Sequence, residues 1–269
     1  MRLGLIGFGV IGQGLARGIA AGVVGEEIQL NAILVRGDRE RDRKDVPEDC
    51  LLTTDPEAFF SRPLDVVFEV AGQEAARQYG ERCLAAGADF LPSSVGALSD
   101  DVFRERLVAA ARSHGRRVLI PSGAIGALDV IQGASVGRLD EVVHITRKHP
   151  RAWKGTAAEQ MVDLDALTEP TVIFEGTPRE SAGLFPANVN VQVAVALAGA
   201  GLDATRVQVV ADPQVTKNIH EVRVSGEFGS LEFTLVNQPS PENPRTGLLT
   251  AFALLKTLRN LTSPLVIGV

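Results

Sequence analysis

A chain of 269 residues, 45% of them hydrophobic, is long for one domain and short for two large ones, so one main domain with a smaller companion is expected. Its formal charge of -6 at pH 7 offers no attraction to nucleic acid or to an anionic membrane, which removes both as expected partners. No apolar run reaches the length of a membrane span, the first apolar stretch lacks a cleavable signal layout, and Cys50 and Cys83 lack metal-ligand spacing; a cytoplasmic setting and no metal are therefore expected.

The first predicted element is a strand, Leu3 to Ile6, and Gly7, Gly9 and Gly12 follow it with G-x-G-x-x-G spacing. Gly7 permits a tight turn, Gly9 clears a path for a pyrophosphate to the backbone, and Gly12 lets the next helix pack closely. That helix begins at Val10 and Ile11, which places both beside the phosphates, with the positive end of its dipole facing them. Ile11, Leu15 and Ile19 recur every four residues and form one helical face. A merely structural glycine turn is the alternative, but the strand before and the helix after meet the context test for a dinucleotide.

Ile28 to Val35 reads as the second strand. Its end decides between NAD and NADP, because an acidic residue there holds a ribose 2′-hydroxyl and an arginine accommodates a 2′-phosphate. Arg36 and Arg39 fit NADP, Asp38 fits NAD, and solvated loop charge is the competing reading. Leu64 to Val70 is a near-continuous apolar run suited to a strand buried on both faces. Helix follows over 73–86, strand over Ala88 to Leu91, helix over Asp100 to Ser113 and strand over Arg117 to Ile120. This alternation predicts an α/β, doubly wound, mostly parallel sheet with ligands at the carboxyl ends of its strands. The loop Ala71-Gly72-Gln73 falls at one such end, and the segment from Pro121 to Gly126, containing Ala124, at another; Ala71 joins the expected cofactor contacts.

From about Gly137 the alternation changes. Val142 to Lys148, Thr171 to Phe174, Val207 to Ala211, Ile219 to Val224 and Leu231 to Val236 are predicted strands with few helices between, an α+β domain with a largely antiparallel sheet. The final stretch, Asn243 to Leu261, returns to helix with a stripe of Leu248, Phe252, Leu255 and Leu258, expected to pack back on the first domain.

Of four histidines, His114 and His149 read as surface punctuation and His144 lies in a predicted strand. His220 is the informative one. Alternation in KNIHEVRVS puts it on the face of Val222 and Val224, and imidazole exchanges protons near neutral pH, although an inward histidine is more often a satisfied core residue. Asn188 and Asn190 stand at the start of an alanine- and valine-rich helix, where Asn188 is an N-cap or a substrate ligand. Lys148 and Lys217 offer positive charge to an acidic substrate.

Together, GFGVIG at the start, PSGAIGALD at 121–129, FPANVNV at 185–191 and KNIHEV at 217–222 resemble the L-aspartate dehydrogenases associated with NAD biosynthesis. The resemblance implies oxidative deamination of L-aspartate with NAD or NADP, through iminosuccinate to oxaloacetate and ammonia. It places the catalytic histidine at His220 and further cofactor contacts at Ala124 and Asn190, and it implies a homodimer. Lys148 and Asn188 are the expected substrate ligands. The expected division is a dinucleotide domain, 1–122 and 241–269, with a substrate and dimerisation domain at 123–240. A homoserine-dehydrogenase-like oxidoreductase and a non-catalytic NAD(P)-binding sensor are the competing readings.

Overall fold

The computed structural model describes residues 1–37, 45–186, 188–238 and 247–268. Asp38, Arg39, Asn243 and Pro244, which carried parts of the cofactor and helix expectations, lie outside these described residues. The chain forms two compact units, Met1–Pro121 with Ala251–Val269, and Ser122–Thr250.

In the first unit the order is β1 (Arg2–Ile6), α1 (Val10–Ala20), β2 (Gln29–Leu34), β3 (Leu51–Thr53), α2 (Pro56–Phe60), β4 (Val66–Glu69), α3 (Gln73–Ala85), β5 (Asp89–Pro92) and α4 (Asp101–Ser113). The strands pair in parallel as β3-β2-β1-β4-β5. The order reverses between β1 and β4, which makes that edge the topological switch point of a Rossmann-type domain. Helices bury one stripe each: α1 turns Gly12, Leu15, Ala16 and Gly18 inward, while α4 buries Phe103, Leu107 and Ala111 and is capped by Asp100, whose carboxylate accepts from Phe103 N–H at 3.1 Å.

Two short elements, β3 and α2, escaped the periodicity argument because neither spans a full pattern. Asp55 caps α2 at Glu57 N–H, 2.8 Å, with Pro56 in the first turn. Residues 117–120, expected as a strand, make one parallel bridge, Phe90 to Val118. Pro121 follows and has no N–H with which to prolong the ladder.

The second unit contains α5 (Leu128–Ala134), β6 (Leu139–Lys148), β7 (Thr171–Gly176), α6 (Pro178–Leu184), α7 (Val189–Ala198), β8 (Arg206–Ala211), β9 (Asn218–Gly226) and β10 (Gly229–Asn237). Its sheet runs β10-β9-β6-β8-β7, antiparallel throughout except for the parallel pair β6/β8. A parallel pair needs a crossover, and residues 149–205 supply it, carrying α6 and α7. The inner face alternates along each strand: Val142, His144, Thr146 and Lys148 on β6 lie level with Val224, Val222 and His220 on β9 and with Val207, Val209 and Ala211 on β8. α7 covers this face. Its Val193, Val195 and Ala196 are buried, and a helix apolar nearly all round is an interior helix.

The last helix, α8 (Leu248–Thr262), places Leu254 and Leu258 in the core of the first unit beside Leu3, Leu15 and Leu30. Each such burial contributes about 1.5–3 kcal/mol. The expected stripe is corrected at one of its members: Phe252 is 56% exposed and Leu254, two residues on, takes the inward place. Leu255 lies against α1, where a Cβ on Gly18 would come 2.5 Å from its side chain.

Candidate active site

The first unit offers a site made of backbone. Gly7 has φ 101°, a conformation that favours glycine, and its N–H donates to the Leu34 carbonyl at 2.8 Å. A Cβ on Gly7 would stand 2.8 Å from Ala71 Cβ. A Cβ on Gly12 would stand 2.5 Å from the Gly7 carbonyl oxygen, so Gly12 lets α1 close on its own opening turn. Gly9 differs: nothing lies within 4 Å of where its Cβ would be. That open cradle belongs to a cavity of about 430 Å³ lined by Gly7, Gly9, Arg36, Ala71, Gly72 and Gln73, among others. Val10 and Ile11 open α1; Val10 is 38% exposed, whereas Ile11 packs against the core.

Glu69 holds the opposite wall. Its buried carboxylate accepts from the N–H groups of Ala71 (2.6 Å), Gly72 (2.7 Å) and Ser94 (3.2 Å) and from Ser94 Oγ (3.0 Å). Burial outweighs these donors and holds its pKa above the ordinary value. The effect is to fix the Ala71-Gly72 turn against Gly7. Sequence reasoning missed Glu69, although a lone carboxylate at the end of the apolar run LDVVFEV was a signal, since a buried charge needs partners.

The second unit offers a site made of side chains. His220 is buried on the inner face, as alternation indicated, and its Nδ1 lies 3.2 Å from His144 Nε2. The ring planes meet at 18° with centroids 5.3 Å apart, so the two nitrogens lie between the centroids and the rings sit edge to edge. Burial, and then the charge of Lys148, lower the His220 pKa to about 4. His144 is fully buried and is held well below its ordinary pKa by burial and by His220. Both imidazoles are therefore neutral at pH 7.

Lys148 completes the group. Its Nζ donates to Asn188 Oδ1 and sits 4.9 Å from the centre of the Trp153 ring. Burial lowers its pKa to about 8. Trp153 is itself anchored, its Nε1 donating to the Val210 carbonyl at 3.1 Å and its ring edge-on to Phe185. Asn188 occupies the N-cap position of α7 but makes no capping bond with its side chain, which is turned to Lys148 instead. On the opposite face Arg147 pairs with Asp212 at 3.1 Å and Glu221 at 3.0 Å, leaving Lys148 as the cation on the inner face of β6.

Of the other expected residues, Asn190 is exposed in the first turn of α7. Ala124 lies before α5, its carbonyl accepting from Asn237 Nδ2 at 3.3 Å. Lys217 is half-buried just before β9. His149 caps the short turn Pro150–Trp153 by accepting from Arg151 N–H, and His114 is the exposed C-cap of α4. His144 and Trp153 were not foreseen as members of the site. Among the described residues, no group of three or more His, Cys, Asp or Glu could hold a metal ion, and no helix is long and apolar enough to cross a membrane.

Comparison with known proteins bears on both units. Residues 129–261 match the family described as "Aspartate dehydrogenase, C-terminal", and residues 7–121 match "Homoserine dehydrogenase, NAD binding domain". The chain is 41% identical over 265 residues to the L-aspartate dehydrogenase of Cupriavidus necator, covering 97% of each. It is 42% identical over 261 residues to that of Ruegeria pomeroyi, covering 96% of this chain and 92% of the relative. Among solved structures, the aspartate dehydrogenase of Thermotoga maritima superposes with a TM-score of 0.77 at 31% identity, covering 100% of this chain and 99% of that one. A homoserine dehydrogenase from Thiobacillus denitrificans gives 0.59 at 16% identity, covering 98% and 74%, a likeness of fold alone.

Proposed function

Because the chain belongs to the L-aspartate dehydrogenase family, we propose that it catalyses oxidative deamination of L-aspartate, through iminosuccinate, to oxaloacetate and ammonia. As an enzyme of this family it is an NAD(P)-dependent oxidoreductase acting on an amino-acid CH–NH₂ donor. The observation that carries the proposal is the pair His220 and Lys148 on one face of the second sheet: a neutral imidazole beside an ammonium, as an acidic amino acid requires.

The cofactor fits the first unit, where the open space at Gly9 and the turn at Gly7 leave the backbone bare. Gly7, Gly9, Val10, Ile11, Gly12, Arg36 and Ala71 would hold it there, with Ala124 and Asn190 as further contacts. When bound, the cofactor would supply a nicotinamide ring as the acceptor of hydride from the substrate's Cα. His220, neutral at pH 7, takes the proton of the water that attacks the imine and returns it to the departing ammonia. Lys148, an ammonium below about pH 8, holds a substrate carboxylate, and Asn188 steadies its Nζ. In this reading the enzyme acts as a homodimer and its product feeds NAD biosynthesis.

The test is an assay of reduced nicotinamide formation with L-aspartate, using NAD and NADP in turn and L-homoserine as control. Aspartate-dependent reduction is expected, and His220→Ala should lower kcat by about 10²–10⁴-fold with cofactor binding unchanged. Reduction with homoserine alone would replace this reading by the homoserine-dehydrogenase one, and cofactor binding without reduction by the sensor.

A further inference from the structure

The histidine pair has a function beyond the proton exchange proposed for His220, and the inference rests on that reading. We propose that His144 is a positioning residue: it engages Nδ1 of His220, fixes the ring plane, and leaves Nε2 as the nitrogen that exchanges protons.

The geometry carries this. Thr146 is the register partner of His220 and Val222 that of His144, so the two imidazoles are diagonal neighbours on one face of adjacent antiparallel strands. Their nitrogens are 3.2 Å apart and their rings nearly coplanar, which is where imidazole N–H bonds and lone pairs point. The bond joins strands 76 residues apart in sequence and is fully enclosed. A histidine partner has a chemical meaning that a carboxylate would not have. A carboxylate would stabilise the imidazolium and raise its pKa; a neutral, buried imidazole accepts the Nδ1–H without adding charge.

In the base form His220 carries its hydrogen on Nδ1, donating to His144 Nε2, and His144 carries its own on Nδ1. His220 Nε2 then takes a proton from the attacking water, and the imidazolium keeps its bond to His144. Delivery of that proton to the amine of the carbinolamine returns His220 to its base form; as ammonia leaves, the hydroxyl proton passes through His220 Nε2 and departs with the ammonia as ammonium, with His144 unchanged throughout.

The charged groups around the pair are few. On β6 the inward positions are Val142, His144, Thr146 and Lys148, so Lys148 is the cation there. β8 presents Val207 and Val209, and β10 presents Leu235 level with His220. α7 contains no acid or base. Arg147, Glu221 and Asp212 pair together on the other face. His144 is thus the group bonded to the catalytic imidazole, and Lys148 the charge that acts on it.

His144→Phe, which keeps a ring and removes the nitrogens, should lower kcat about tenfold to a hundredfold while KM for aspartate stays within about twofold. The acid limb of kcat should move to lower pH, because the His220 imidazolium loses its acceptor. His144→Gln, which can still accept a hydrogen bond, should recover most of the activity. Imidazole ¹⁵N shifts of the wild-type protein give a readout independent of turnover: His220 should show one fixed tautomer, and His144→Phe should release it. Wild-type kcat with an unshifted acid limb in His144→Phe would overturn the assignment. If that variant does not fold, a His220 ring in the wild-type protein that samples both tautomers as free imidazole does would overturn it equally. Wild-type turnover in His220→Gln would defeat the proton-exchange reading instead, whereas the fixed His220 tautomer is read in the wild-type protein, so the two failures are distinguishable.

Discussion

The glycine turn of the first unit and the histidine–lysine face of the second present ligand-binding groups in opposite ways. Around Gly7, Gly9 and Gly12 the useful groups are backbone, and the side chains are missing because two of the three would collide, at 2.8 and 2.5 Å, with neighbouring atoms. Around His220 the useful groups are side chains, gathered from two strands and a helix and stripped of water. The first design tolerates no added atom; the second tolerates no lost partner. In the proposed function, one serves a ligand that is the same for many enzymes, and the other is where substrate and reaction are set.

The sharpest way to break this contrast is to add atoms to the turn. Gly12→Val should abolish cofactor binding and destabilise the first unit by about 1–3 kcal/mol or more, since its Cβ meets a backbone oxygen that cannot swing aside. Gly9→Ala should leave thermal stability unchanged and still weaken cofactor binding by about tenfold or more, because its methyl enters the pyrophosphate's path. Calorimetry and cofactor titration read the two effects separately. Equal loss of stability in both variants would show that the turn is only a structural one.

Removal of a partner in the second unit should act on substrate rather than cofactor. Lys148→Met is expected to raise KM for aspartate by about tenfold to a hundredfold with a smaller change in kcat, the usual worth of a hydrogen bond to a charged group. In the wild-type enzyme KM should rise as pH passes about 8, where Lys148 loses its proton. A KM that is flat from pH 7 to 9.5 would remove Lys148 from substrate binding.

The smallest effect separates the units by pH. The folded pKa values of His220 and His144 lie below 6.5, at about 4 for His220. Between pH 6.5 and 4 the unfolded chain therefore binds more protons than the folded one. Stability of the second unit is full above about pH 6.5 and declines as pH falls towards 4. In the first unit Asp65, held at about 2 by Arg2, acts only below its unfolded value of 3.8, and its exposure makes its share modest. The single tryptophan, Trp153, lies in the second unit, so its fluorescence in urea should show a midpoint lower at pH 5 than at pH 7.5. An unchanged midpoint would mean that the histidines are not held neutral by the fold.

How much of this was legible in the sequence follows from the same contrast. The glycine spacing, the strand–helix alternation and the inward face of His220 are local patterns, and a local pattern survives in one dimension. Glu69, Trp153 and the pairing of His144 with His220 are not local. Nothing in VHITRK or KNIHEV says that Thr146 will stand opposite His220; that is fixed by the β6/β9 register. The end of the first sheet shows the same limit, since only tertiary pairing decides that Val118 makes one bridge and not a strand. The helix stripe missed at one of its members because Phe252 and Leu254, two residues apart, are both apolar in sequence, and packing alone chose Leu254.

The crossover between β6 and β8 has a kinetic consequence. β6 is the middle strand of its sheet, with β9 on one side and β8 on the other, and both partners arrive late in the chain. Closing loops of that length is entropically dear and slow, whereas the turn from Gly7 to Gly12 draws its tertiary contacts from Leu34, nearer in sequence, and from Ala71. The histidine pair, its members 76 residues apart, comes into being only when the sheet is closed. The proton exchange proposed for His220 therefore depends on the completed sheet and is absent from any partly folded form in which the glycine turn alone has assembled.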